Sequence, residues 1–132
     1  MKWISIIPVL FLLHHTISLN AASLPVWEQD QIRAALKRNE VPAHFFPILA
    51  AIRHSESNGE PGLEFGIMNE EANDYSSQAG WCACTVWKSY KRWNGEGSFI
   101  TFLGSTYSPP TENPDWVGNV TYWAKFYGSR IL

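Results

Sequence analysis

The chain of 132 residues is long enough for one domain with a packed core and too short for two. Hydrophobic residues make up 45% of it and charged residues 17%, a balance that excludes a disordered or fibrous chain, and an aromatic share of 14% leaves rings to spare for a surface role. A formal charge of −2 offers no basic excess for nucleic acid, and the single basic cluster, "KSYKRW" from Lys88 to Trp93, reads as a solvated helix face.

Lys2, the apolar "WISIIPVLFLL" and the small residues "SLNAAS" have the form of a secretory signal, so residues 1–22 are expected to be removed, leaving one exported domain over residues 23–132, secreted or periplasmic. His14 and His15 interrupt the apolar run, which is too short to span a bilayer comfortably, so no stable membrane span is expected. Loss of Lys2 would leave nine basic residues against twelve acidic ones, a formal charge of −3.

In "LPVWEQDQIRAALKRNEVP", Trp27, Ile32, Ala35 and Leu36 recur near helical spacing, with Glu28 and Asp30 early, Lys37 and Arg38 late, and Pro42 as a stop; this predicts a first helix. "FFPILAAIRHSESNG" predicts a second, with Pro47 in its first turn, apolar Ile48, Leu49 and Ile52, and an exit at Ser57-Asn58-Gly59. From Glu60 to Asn73 glycines and acids replace periodicity, and only "LEFGIM" looks extended, which predicts a loop, with or without a short hairpin. Asp74 is placed to cap a long third helix, "YSSQAGWCACTVWKSYKRW", with Cys82, Val86 and Trp93 along one side. "FITFLGS" predicts a short helix, "TYSPPTENPD" a proline-rich loop, and "WVGNVTYWAKFY" a last helix through Trp116, Val120, Trp123 and Tyr127. The expected architecture is mainly α, a compact helical domain with a short loop or hairpin after the second helix. Trp81, Trp87 and Trp123 are expected in its core.

Cys82 and Cys84 stand two apart in a helix, where side chains diverge and a disulfide is awkward, so one or both are expected as core thiols. C-x-C and scattered histidines supply too few ligands for zinc, and neither a phosphate-cradling glycine loop nor a G-x-S-x-G elbow occurs; no metal or cofactor is expected.

Glu56 follows Ile52 by four residues and Leu49 by seven, which continues the stripe facing the core. Desolvation and the negative end of the helix dipole would both oppose its ionisation. A carboxylic acid that keeps its proton near neutrality suits a general acid; the competing account is a helix-end charge turned to solvent.

"ILAAIRHSES" followed at short range by "GIMN" resembles the Glu-Ser and Gly-Leu-Met-Gln signatures of soluble lytic transglycosylases and goose-type lysozymes. With "FLGSTYSP" downstream, the Glu-Ser pair is also similar to the endo-β-N-acetylglucosaminidase branch of the lysozyme-like fold. The match covers Ile48 to Asn69, with weaker similarity toward the C-terminus. It implies an α+β lysozyme-like fold, Glu56 as catalytic acid with Ser57 as its neighbour, and Gly66, Ile67, Met68 and Asn69 as the lining of a sugar cleft. Ile67 stands where those families have leucine, and Asn69, where they have glutamine, shortens a substrate-facing amide.

Among the nearby acids Glu64, just before the glycine turn, is the first choice for a second carboxylate; without one, the resemblance to lytic transglycosylases implies that Glu56 acts as acid and then base and leaves an anhydro sugar. Tyr75, Tyr107 and Trp116, with Asn119, are expected as cleft walls against which sugar rings pack. Asn119-Val120-Thr121 also fits a glycosylation sequon. The expected protein is a monomeric, cofactor-free peptidoglycan glycosidase, a lytic transglycosylase or a muramidase or glucosaminidase, cleaving β-1,4 bonds of peptidoglycan or a related aminosugar polymer. The alternative is a non-catalytic lysozyme-like saccharide-binding module.

Overall fold

The computed structural model describes residues 22–56, 60–107 and 113–132. Ser57 and nearly all of the expected signal segment lie outside these. The described chain is mainly helical: α1 (Val26–Arg38), a 3-10 turn (Ala43–Phe45), α2 (Phe46–Ser55), α3 (Tyr75–Arg92), α4 (Phe99–Tyr107) and α5 (Trp116–Phe126). None of these helices is long and apolar enough to cross a membrane.

The sequence of α2 explains its central place. Ile48, Leu49, Ala50, Ala51 and Ile52 are consecutive and all buried, so this helix is apolar on every side rather than along one stripe. It packs against α1, α3 and α5, and its pairing with α5 is the most extensive among the described elements. Ile32 and Leu36 of α1, Cys82 and Val86 of α3, Leu103 of α4 and Trp116 and Val120 of α5 close the core around it. A helix this enclosed can present side chains to solvent only at its ends, and Glu56 stands at its C-terminal end.

Local chemistry sets the boundaries as expected. Pro47 sits in the first turn of α2, and the Asp74 carboxylate caps α3 by accepting from the Ser77 N–H at 2.7 Å. Cys82 is buried and Cys84 half-buried, both as free thiols.

Three expectations need correction. On α1 the inward stripe runs through Glu28, Ile32, Ala35 and Leu36, while Trp27 is 58% exposed. Glu28 can be buried because Arg53 of α2 donates to its carboxylate at 2.7 Å, satisfying the charge where it lies. Trp81 is likewise outside the core, 39% exposed, and Trp87 and Trp123 are only half-buried at the core's rim, Trp123 stacked on His54 at 3.8 Å.

The third concerns the loop-or-hairpin alternative after α2, which the structure decides for the loop. Among the described residues there is no strand. The backbone groups that a partner strand would satisfy are taken instead by one side chain, the fully buried Gln78 of α3. Its Oε1 accepts from the Phe65 and Ile67 N–H groups at 3.1 and 3.2 Å, and its Nε2 donates to the Ile67 and Ala72 carbonyls at 2.8 and 2.6 Å. Gly66, at φ +71°, turns the chain between Phe65 and Ile67, and one carboxamide oxygen accepts from the N–H groups on either side of it.

Gln78→Ala would leave four polar backbone groups without their partner. With a net loss near 1 kcal/mol per bond and a larger penalty where water does not enter, the variant should lose roughly 3–5 kcal/mol of stability. Urea unfolding measures the loss, and hydrogen exchange should quicken first at the Phe65 and Ile67 amides; a loss below about 1 kcal/mol would contradict this role.

Candidate functional site

Glu56 ends α2 as its C-cap, its N–H still bonded to the Ile52 carbonyl at 2.9 Å. The side chain is half-buried, and its Oε1 accepts from the indole Nε1 of Trp116 at 2.9 Å. Burial raises the carboxyl pKa above its ordinary value, and the indole N–H, which favours the carboxylate, only partly offsets that. The group is therefore an acid that holds its proton unusually well and has a fixed donor waiting for the anion it leaves.

Gly66 closes the other side. Its φ is +71°, a conformation that favours glycine, and a Cβ built there would stand 2.5 Å from Glu56 Oε2. Both reasons call for glycine. Phe65 and Ile67, its two neighbours, are the residues whose N–H groups Gln78 holds, so the glycine is pinned from either side against the carboxyl.

Two hollows meet along this turn. One, of about 220 Å³, is lined by Glu56, Glu60, Leu63, Gly66 and Met68. The other, of about 330 Å³, shares Gly66 and Met68 with it and continues past Ile67 and Asn69 to Trp81 and Tyr107. The Gly66–Asn69 stretch expected to line a cleft does line this groove, with Met68 85% exposed and Asn69 using its side-chain oxygen to accept from the Glu71 N–H at 2.9 Å.

The aromatic residues divide differently from the expectation. Trp116 is fully buried, so it is no open wall, and its contribution is the hydrogen bond to Glu56. Tyr107 stacks on Trp116 with ring centroids 5.4 Å apart and donates its hydroxyl to the Phe65 carbonyl, while part of it faces the second hollow. Burial pushes its pKa well up, which keeps that hydroxyl a neutral donor. Tyr75 is wedged edge-on between Trp27 and Phe65, and Asn119 is exposed on α5; neither lines the groove.

Glu64 curls back on its own turn, both carboxylate oxygens accepting from the Gly62 N–H at 3.1 and 3.2 Å. Glu60 is the acid that shares a hollow with Glu56. "EPGL" carries the signal that could have found it: proline then glycine at the centre of a four-residue turn, with Gly62 at φ +85° and the Leu63 N–H bonded to the Glu60 carbonyl at 3.0 Å. Among the described residues no three His, Cys, Asp or Glu side chains gather as a metal site.

Comparison with protein-family models, with curated proteins and with solved structures finds no match.

A carboxyl whose pKa is higher folded than unfolded binds its proton more tightly in the folded state, so its contribution to stability is lost as pH rises from about 4.5 through the folded value. Glu56→Gln keeps the acceptor for Trp116 and removes the titration. Its stability relative to the parent should therefore grow across that interval in paired urea titrations, whereas a constant difference would contradict the assigned environment.

Proposed function

We propose that the chain is an exported glycosidase that cleaves β-1,4 bonds of peptidoglycan or a related aminosugar polymer, on a lysozyme-like helical domain, with Glu56 as general acid. The observation that carries the reading is a half-buried glutamic acid, its pKa raised by desolvation, standing over an open groove at the end of the central helix. Glu56 gives its proton to the glycosidic oxygen as the bond from C1 breaks, and the Trp116 N–H holds the resulting carboxylate in place for its second task. Trp81 and Tyr107, with the exposed Met68, offer flat and apolar surface for the C–H faces of sugar rings beside the acid.

The second step has two endings. Glu56 alone can take a proton from a hydroxyl of the same sugar, with the substrate's N-acetyl group assisting, which yields an anhydro end. Alternatively a second carboxylate activates water, and Glu60 is better placed for that than Glu64, whose oxygens are occupied by the Gly62 N–H.

Clearing of purified cell-wall suspensions tests the proposal. Glu56→Gln should lose roughly 10²- to 10⁴-fold in rate, the usual contribution of a positioned proton donor, and the parent's activity should fall as pH rises through the raised pKa of Glu56. Equal clearing by both proteins would sink the role of Glu56, and wall binding without clearing by the parent would identify a saccharide-binding module instead. Mass spectrometry of the released fragments separates the endings: anhydro ends are lighter by one water, whereas reducing ends should go with a large loss of rate in Glu60→Gln and a small one in Glu64→Gln.

A further inference from the structure

We propose that the groove past Glu56 continues over Trp81 into a basic hollow that binds a carboxylate-bearing unit of the same glycan strand, an assignment that rests on the glycosidase reading above. A further hollow, of about 420 Å³, has no acidic residue in its lining. Arg38, Lys88 and Trp81 are among its lining residues, and Trp81 also lines the hollow that runs along Ile67–Asn69 toward Glu56. The three hollows are neighbours through shared lining residues, Gly66 and Met68 between the first two and Trp81 between the second and third.

Arg38 is seated. Its Nη2 donates to the Ser76 carbonyl of α3 at 2.7 Å, and the guanidinium lies against the α3 backbone at Gly80, where a Cβ would meet Nη2 at 3.3 Å. A glycine inside a helix is unfavourable relative to alanine, and close approach by the guanidinium gives this one a reason. The planar group carries five N–H donors, so with one on Ser76 others suit the paired oxygens of a carboxylate. Lys88 adds a second positive charge beside the same hollow. Asp74 is an acid close enough to Arg38 to feel its charge, but its carboxylate is engaged with the Ser77 N–H and does not line the hollow. In a chain of formal charge −2 this is a local concentration of positive charge rather than a general property of the surface. An aromatic wall followed by two cations matches a sugar ring followed by its acidic substituent.

Calorimetry on Glu56→Gln, which binds without turnover, tests this with two oligosaccharides of equal length: a neutral N-acetylglucosamine oligomer and one with carboxylate substituents on alternate units. The carboxylated oligomer should bind about tenfold more tightly, with the difference shrinking at high salt. That preference should vanish in Arg38→Gln and weaken in Lys88→Gln, with affinity for the neutral oligomer kept. Lys88 is exposed, so its variant keeps the test valid if loss of the Arg38–Ser76 bond disturbs the α1–α3 contact. Equal affinity for the two oligomers, or an equal drop for both in Lys88→Gln, would overturn the basic hollow while leaving wall cleavage by the active protein intact. Binding of neither oligomer, together with no wall clearing, would overturn both this and the glycosidase reading.

Discussion

The carboxamide of Gln78 is the interaction on which the arrangement around Glu56 depends. With four backbone bonds it replaces the strand that the Phe65–Ala72 segment lacks, and it does so from inside α3, a long and well-capped helix. Phe65 is held a second time, through its buried ring and through its carbonyl, which Tyr107 binds. Gly66 between these anchors therefore has little freedom, and Glu56 meets backbone on one side and the Trp116 indole on the other. The contacts close a circuit from Gln78 through Phe65, Tyr107, Trp116 and Glu56 to Gly66. A polar side chain serves here because a segment without a partner strand would leave its inward-facing amides unsatisfied, which is costlier than burying one fully bonded glutamine.

The last turn of α2 is fixed from two directions. Arg53 reaches Glu28 on α1, while His54 stacks on Trp123 and meets the Tyr127 hydroxyl at 2.8 Å. Burial and the neighbouring Arg53 charge lower the His54 pKa, against a smaller opposing pull from Glu28, so the ring is disposed to sit uncharged between its aromatic partners. These ties orient the helix end without placing another strong charge on Glu56, whose environment is set mainly by desolvation and one donated hydrogen bond.

What could be read from the sequence was what local chemistry decides. Pro47 and the Asp74 cap follow from neighbours within a turn, and the inward direction of Glu56 follows from helical period alone. What could not be read depends on partners far along the chain. Hydrophobicity favours Trp27 over Glu28 for the inner face of α1, and only Arg53, 25 residues on, reverses that by neutralising the acid. Gln78 looks like any polar helix residue until the loop it binds, 6 to 13 residues earlier, is folded over it. Trp81 and Trp116 depart from expectation in opposite senses: period places the Trp81 indole on a face but does not say whether that face meets core or solvent, and the helix-start position of Trp116 does not reveal that α5 buries it.

If desolvation governs Glu56, its own titration shows it. Carbon-13 NMR of the side-chain carboxyl in the intact protein should give a folded pKa above 4.5, and Trp116→Phe, which removes the one bond that favours the anion, should move it higher still provided the fold is kept. A carboxyl titrating at or below 4.5 in the parent protein would contradict the account of Glu56 as an acid made to hold its proton.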